Sequence, residues 1–340
     1  MTDPAGADPA GADPPDGSAS APGLLRFTTE GRTAPALFVV GWLATIAGLL
    51  GIAIAILGAS GLTARLLFFA GAAAFAIGLC GLAGSQAIER RVAANPGYRG
   101  PTPLLIFLAW LPASYVAWVL VGLPLELAGI ELDQLTTELL VLVIQSAIAI
   151  GLVGLLVVGP GVLSWPEIGF NRRVAGAIRE LAWGALLAGP AILVTAVAAT
   201  VLVQVFGVAP EAPFTPTGSP GGLAVHLLAG AIIAPLAEET IFRGVAINAW
   251  RPSLGVTGAI VRSALLFAAA HVLFVGGDSL TAAVAAASVG FLGRIPVALF
   301  LGWAFVRRGT IWAPLGLHVA FNAVLITAAE LIVGGTVTAG

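Results

Sequence analysis

The sequence predicts an all-α protein: a polytopic transmembrane helical bundle of about nine spans with its N-terminus in the cytoplasm. Three observations carry this. Of 340 residues, 59% are hydrophobic and only 9% charged, and the mean hydropathy is +1.02. Soluble domains are roughly 25% charged, so this composition excludes a soluble globular enzyme, a disordered chain and a nucleic-acid binder. Apolar runs of about 20 residues or more then recur from Pro35 onward, each long enough to cross a hydrocarbon core of about 30 Å. Finally, arginines alternate between successive connections, as the positive-inside rule requires of a polytopic protein.

The first element is a tail, residues 1–35. Pro4 to Gly17 runs PAGADPAGADPPDG, a five-residue repeat that can bury nothing and is expected to be disordered. No Lys or Arg precedes Arg26 and no short apolar core follows the start, so no secretory signal peptide is expected. Four spans follow at about 36–58, 66–88, 103–128 and 137–158, forming an N-terminal scaffold over 36–160. A cytoplasmic loop is expected over 161–182. Five further spans, about 183–206, 224–247, 257–275, 281–305 and 311–334, make up a C-terminal core over 183–334.

Loop charge orients these spans. Arg90, Arg91 and Arg99 follow the second, Arg172, Arg173 and Arg179 the fourth, Arg251 the sixth, and Arg307 and Arg308 the eighth. The opposite connections carry Glu131 and Asp133, Glu211 and Asp278, with Arg65 the exception. Arg26 and Arg32 therefore place the N-terminus in the cytoplasm and an odd span count places the C-terminus outside. The single Cys80 excludes disulfides and any multi-cysteine metal site. All 15 basic residues are Arg, which reads as genomic compositional bias, and a net charge of −2 does not select a partner.

An ionisable side chain inside a span costs roughly 2.5–3.5 kcal/mol on insertion scales, so such residues mark function by default. The first four spans hold almost none, Glu126 near an outer end excepted. The sixth span reads Pro235-Leu-Ala-Glu238-Glu239-Thr-Ile-Phe-Arg243, the seventh Phe267-Ala-Ala-Ala-His271, and the ninth His318-Val-Ala-Phe-Asn322. Glu239 and Arg243 are four apart and share a helix face, where they can form an ion pair. Glu238 points about 100° away from Glu239 and is left to face a cavity as a base. His318 and Asn322 share a face, as do Phe267 and His271. Their depths, at about 1.5 Å per residue, overlap, so three helices can present Glu, His, His and Asn to one water-holding cavity in the cytoplasmic half. His226 lacks a partner at helical spacing and reads as a packing residue. Arg262 reads as snorkelling, and Arg294, too deep to snorkel, as pairing with a carboxylate such as Glu239. Glu126, Glu330 and the many glycines read as helix-packing positions.

Glu238-Glu239-x-x-x-Arg243, Phe267-x-x-x-His271 and His318-x-x-x-Asn322, in that order and each in its own apolar segment, resemble the three-motif pattern of the CPBP family. These are the CAAX protease and bacteriocin-processing intramembrane endopeptidases, related to type II CAAX prenyl endopeptidases. The resemblance covers about 183–334. It implies a glutamate-dependent, metal-independent peptidase with no cofactor. Carried over, Glu238 resembles the general base that activates water and His271 a residue that helps hold it. His318 and Asn322 resemble the oxyanion-stabilising pair, and Glu239 and Arg243 the pair that supports the site. The expected partners are the lipid bilayer and a membrane-associated peptide or protein substrate, with no nucleic acid. The expected location is the plasma membrane of a prokaryote. Three other functions stay open: a non-catalytic interaction or immunity protein, a zinc metalloprotease using Glu and two His, although no HExxH pair is present, and a proton-coupled transporter.

Overall fold

The computed structural model describes residues 22–93, 97–209 and 214–338. The Pro4–Gly17 repeat and Glu211 lie outside the described residues. Among those described, every regular element is helical.

The first four spans are α1 (Pro35–Leu57), α2 (Gly61–Val92), α3 (Pro103–Leu127) and α4 (Gln134–Val153), the last extended by a π-helical turn at Gly154–Val158. Residues 161–182, expected as a loop, are largely helical: a single turn α5 (Trp165–Ile168), then α6 (Val174–Leu186), which leads into α7 (Ala188–Phe206). A capping box starts α5, with the Ser164 N–H and hydroxyl both donating to Glu167. These bonds hold the Glu167 carboxyl below the usual carboxylate range. The C-terminal part comprises α8 (Pro220–His226), a π turn at Leu227–Ile233, α9 (Ala234–Glu239), a second π segment at Thr240–Ile247, α10 (Asn248–Ala270), α11 (Leu280–Arg308) and α12 (Trp312–Thr338).

Among the described residues eight helical stretches are long and apolar enough to cross a membrane, so the chain is an integral, multi-pass membrane protein. The nine expected spans are all present, because one stretch, Pro220–Ala270, is 51 residues long. At 1.5 Å per residue a straight helix of that length would reach about 76 Å, more than twice the hydrocarbon core. The chain instead reverses at Gly255 (φ 69°, ψ −179°), a conformation only glycine adopts readily. The second limb then runs back along the first: the Ser263 hydroxyl donates to the Phe242 carbonyl at 2.5 Å, and the Phe242 and Phe267 rings meet edge to face at 5.3 Å.

Contacts between connections sort onto two ends of the bundle. At one end Arg32 pairs with Glu89, Arg91 with the Pro160 carbonyl, Asn171 with the Gly309 carbonyl and Asn248 with the Glu167 carbonyl. At the other, Arg65 pairs with Glu126 at 3.4 Å, which gives the one exceptional arginine a counter-charge. Residues 22–34 are tied to the first of these ends, since buried Arg32 also donates to the carbonyls of Gly23, Arg26 and Thr28.

Close approach of helices is set by glycine. A Cβ at Gly184 of α6 would strike the Ala313 carbonyl, and one at Gly316 of α12 the Leu181 carbonyl. Beside this contact, buried Glu180 of α6 takes two bonds from Arg308, at 2.6 and 2.8 Å. One continuous apolar core joins α2, α3 and α4 to Ala237, Ile241, Phe242, Val245, Ala264 and Phe267. The N-terminal spans and the helices that carry Glu238 and His271 therefore share a single core.

Candidate active site

Pro235 shapes the helix that carries the carboxylates. Ahead of it the chain is in π register, the Ala234 N–H reaching the Ala229 carbonyl five residues back. The next donor in that register would be Pro235, which has no N–H, and the Gly230 carbonyl is left without a helical partner. Asn322 of α12 supplies one, its Nδ2 donating to Gly230 O at 2.8 Å. Helical register changes of this kind recur at functional sites, and here they flank the short α9 that ends in Glu238 and Glu239.

The two carboxylates diverge. Glu239 is fully buried and its Oε1 accepts from Arg243 Nη1 at 3.0 Å and from His318 Nδ1 at 2.8 Å. Arg243, also fully buried, donates its other terminal nitrogen to the Ala298 carbonyl at 3.4 Å and lies 4.5 Å over the Phe267 ring. Glu238 keeps 16% of its side chain accessible and has no direct hydrogen bond among the described residues. Its Oε1 lies 3.9 Å from His271 Nε2 and its Oε2 3.7 Å from His318 Nε2. Both gaps exceed hydrogen-bond length, and each is short enough to be spanned by one water.

Each imidazole is oriented through its other nitrogen. α10 ends at Ala270, so His271 caps the helix and does not lie within a longer span to residue 275. Its Nδ1 donates to the Phe267 carbonyl at 2.8 Å, one of the last-turn carbonyls that a helix C-terminus leaves open. His318 donates from Nδ1 to Glu239. In the neutral tautomers these bonds select, both rings present a bare Nε2 toward Glu238.

Two cavities meet at this point, and Glu238 and His271 stand in the walls of both. The larger, about 590 Å³, also reaches His318, Asn322 and Arg294. Arg294 donates to the Gly290 carbonyl of its own helix at 2.9 Å and faces the cavity, while Glu239, its expected partner, is engaged by Arg243 and His318. The smaller cavity, about 400 Å³, is walled by Phe107, Trp110, Tyr115 and Trp118 of α3 with Gln145 of α4. These residues were not among those expected at the site. Their signal is present in the sequence, as Phe107, Trp110, Leu111, Ser114, Tyr115 and Trp118 recur at helical spacing along one face. Among the described residues no group of three or more His, Cys, Asp or Glu is placed to hold a metal ion.

His226 and Glu330, expected as packing positions, form a second buried cluster. His226 Nδ1 meets Glu330 at 2.6 Å and Nε2 meets Glu138 at 3.0 Å, while Glu330 also accepts from the N–H groups of Thr217 and Gly218. The cluster joins the start of α4, α8 and α12.

The family model described as Type II CAAX prenyl endopeptidase Rce1-like matches residues 220–324. No curated protein and no solved structure matches the chain. The matched segment runs from the start of α8 through Asn322 and contains the helix of Glu238, Glu239 and Arg243, the cap at His271, and the His318–Asn322 face of α12. Over this segment the chain is similar to the CAAX protease (CPBP) family.

Proposed function

We propose that the protein is an intramembrane endopeptidase that hydrolyses a peptide bond of a membrane-associated protein or peptide, with water activated by Glu238. The observation that carries this reading is the 3.9 and 3.7 Å approach of His271 and His318 to the carboxylate that Arg243 does not pair with. A water placed among these groups donates one hydrogen to Glu238 and the other to His271 Nε2, which turns its lone pair toward a substrate carbonyl. Glu238 takes the proton as the carbon–oxygen bond forms and passes it to the departing amine. The second N–H of the Asn322 amide stabilises the oxyanion, worth roughly 2.7–4 kcal/mol, while His318, whose one N–H is given to Glu239, turns its bare Nε2 toward the same water. Glu239 and Arg243 fix the tautomer and direction of His318 and do not touch the reacting atoms.

The aromatic wall of α3 receives an apolar part of the substrate, and the larger cavity receives the chain beyond the scissile bond. The positive-inside rule supports a reading in which the arginine-rich connections and the N-terminus are cytoplasmic; in that reading the membrane is the plasma membrane of a prokaryote. The test is cleavage by purified protein in detergent, assayed with and without a chelator and alongside His271→Ala. The reading expects activity that survives chelation without stoichiometric zinc and falls sharply in the variant. Activity that tracks bound zinc would overturn it.

A further inference from the structure

A third cavity lies away from both carboxylates, at the end of the bundle where α2 ends, α3 begins and the chain approaches the Gly255 reversal. Its volume is about 350 Å³ and its walls include Arg90, Arg262, Tyr98, Thr102 and Ser253, with no acidic residue. Neither arginine pairs with a carboxylate among the described residues. Arg90 donates to the Gly100 carbonyl at 2.7 Å, and Arg262 stacks 4.8 Å from the Trp250 ring centroid. The Tyr98 hydroxyl is buried against Gly100 and has no hydrogen-bond partner among the described residues. Burial, partly opposed by the nearby Arg90, pushes this phenol up, so it stays an O–H donor at any physiological pH. Thr102, the residue before α3, makes no capping bond with its hydroxyl, and the positive end of a 25-residue helix dipole opens here. A concave site with two guanidinium groups, an unsatisfied phenol and a helix N-terminus calls for a multivalent oxyanion.

We infer that this cavity binds the phosphate headgroup of an anionic lipid. Arg91, Arg99 and Arg251, at the same end, add to the attraction for anionic lipid. The immediate chain neighbours of lining residues include Leu104 and Leu254, exposed apolar side chains beside which acyl chains can lie. A free phosphate would use the charges and leave this apolar surface unused. A headgroup held between Arg90 and Arg262 would tie the α2–α3 connection to the turn that carries α10 back toward His271.

The experiment is native mass spectrometry of the full chain released from nanodiscs containing equal parts phosphatidylglycerol and phosphatidylcholine. The variants are Arg90→Gln/Arg262→Gln and Tyr98→Phe, none of them in the catalytic machinery. Wild type should retain one phosphatidylglycerol that 20-fold excess inorganic phosphate does not displace. Occupancy should fall about tenfold in the double variant and about threefold in Tyr98→Phe, which removes one hydroxyl and little packing. Equal retention by wild type and both variants would overturn the site. Displacement by inorganic phosphate, or equal retention of phosphatidylcholine, would overturn the lipid assignment.

Discussion

The side-chain amide of Asn322 donates to the Gly230 carbonyl, 2.8 Å away, at the position in the helix ladder where Pro235 cannot. One imino acid thus ties the helix of Glu238 to the helix of His318 and orients the Asn322 amide, whose nitrogen must face the carbonyl and whose remaining N–H is left for the cavity. Asn322→Ala is expected to lower kcat by roughly 10²–10³-fold, the cost of one oxyanion donor, with KM little changed. Pro235→Ala offers Gly230 a competing N–H and should lower kcat more mildly. Steady-state kinetics of the two variants check the order.

The Glu239–Arg243 pair is fully buried at both ends. Removing one partner of a buried pair costs about 3–5 kcal/mol, because the other charge stays in a medium that cannot solvate it. Arg243→Met should therefore lower the unfolding midpoint in detergent strongly. Glu239→Gln, which keeps an acceptor for His318 Nδ1, should lose less stability and still lose activity.

How much of this was legible in the sequence differs from residue to residue. Glu239 and Arg243 are neighbours by helical period alone, and the same geometry turns Glu238 away from them. The three motif segments had no such local reason to meet. His271 and His318 come from helices whose relative placement depends on packing, and their convergence was expected from depth and from family resemblance. The His226 cluster was not legible: its partners lie 88 and 104 residues away, and a search at helical spacing cannot reach them. The nine apolar runs were readable because a bilayer sets their length. That the sixth and seventh follow each other with no intervening loop was not, since only the reversal at Gly255 separates the two limbs.

The aromatic stripe on α3 was visible as periodicity but not as a cavity wall, since nothing local says which helix it faces. If it receives the apolar part of the substrate, Trp118→Ala and Tyr115→Ala should raise KM severalfold and leave kcat nearly unchanged. Initial rates over a range of concentrations of one lipophilic peptide separate the two constants.

Gly184 and Gly316 admit α6 and α12 to backbone contact. Gly184→Val has no flexible neighbour to displace, only the backbone of Ala313 and Leu317, and should cost about 1–3 kcal/mol or more. Thermal unfolding in detergent should show the loss, whereas Gly221→Val, at a glycine with open space around it, should show little.

The central claim is that Glu238 removes a proton from water. Its most direct test is the single-turnover cleavage rate of Glu238→Gln, which keeps the shape and polarity of the side chain and deletes its basicity. General-base catalysis contributes roughly 10²–10⁴-fold. The account predicts a fall of that size with substrate binding and thermal stability retained. A variant that cleaves at the wild-type rate would contradict it.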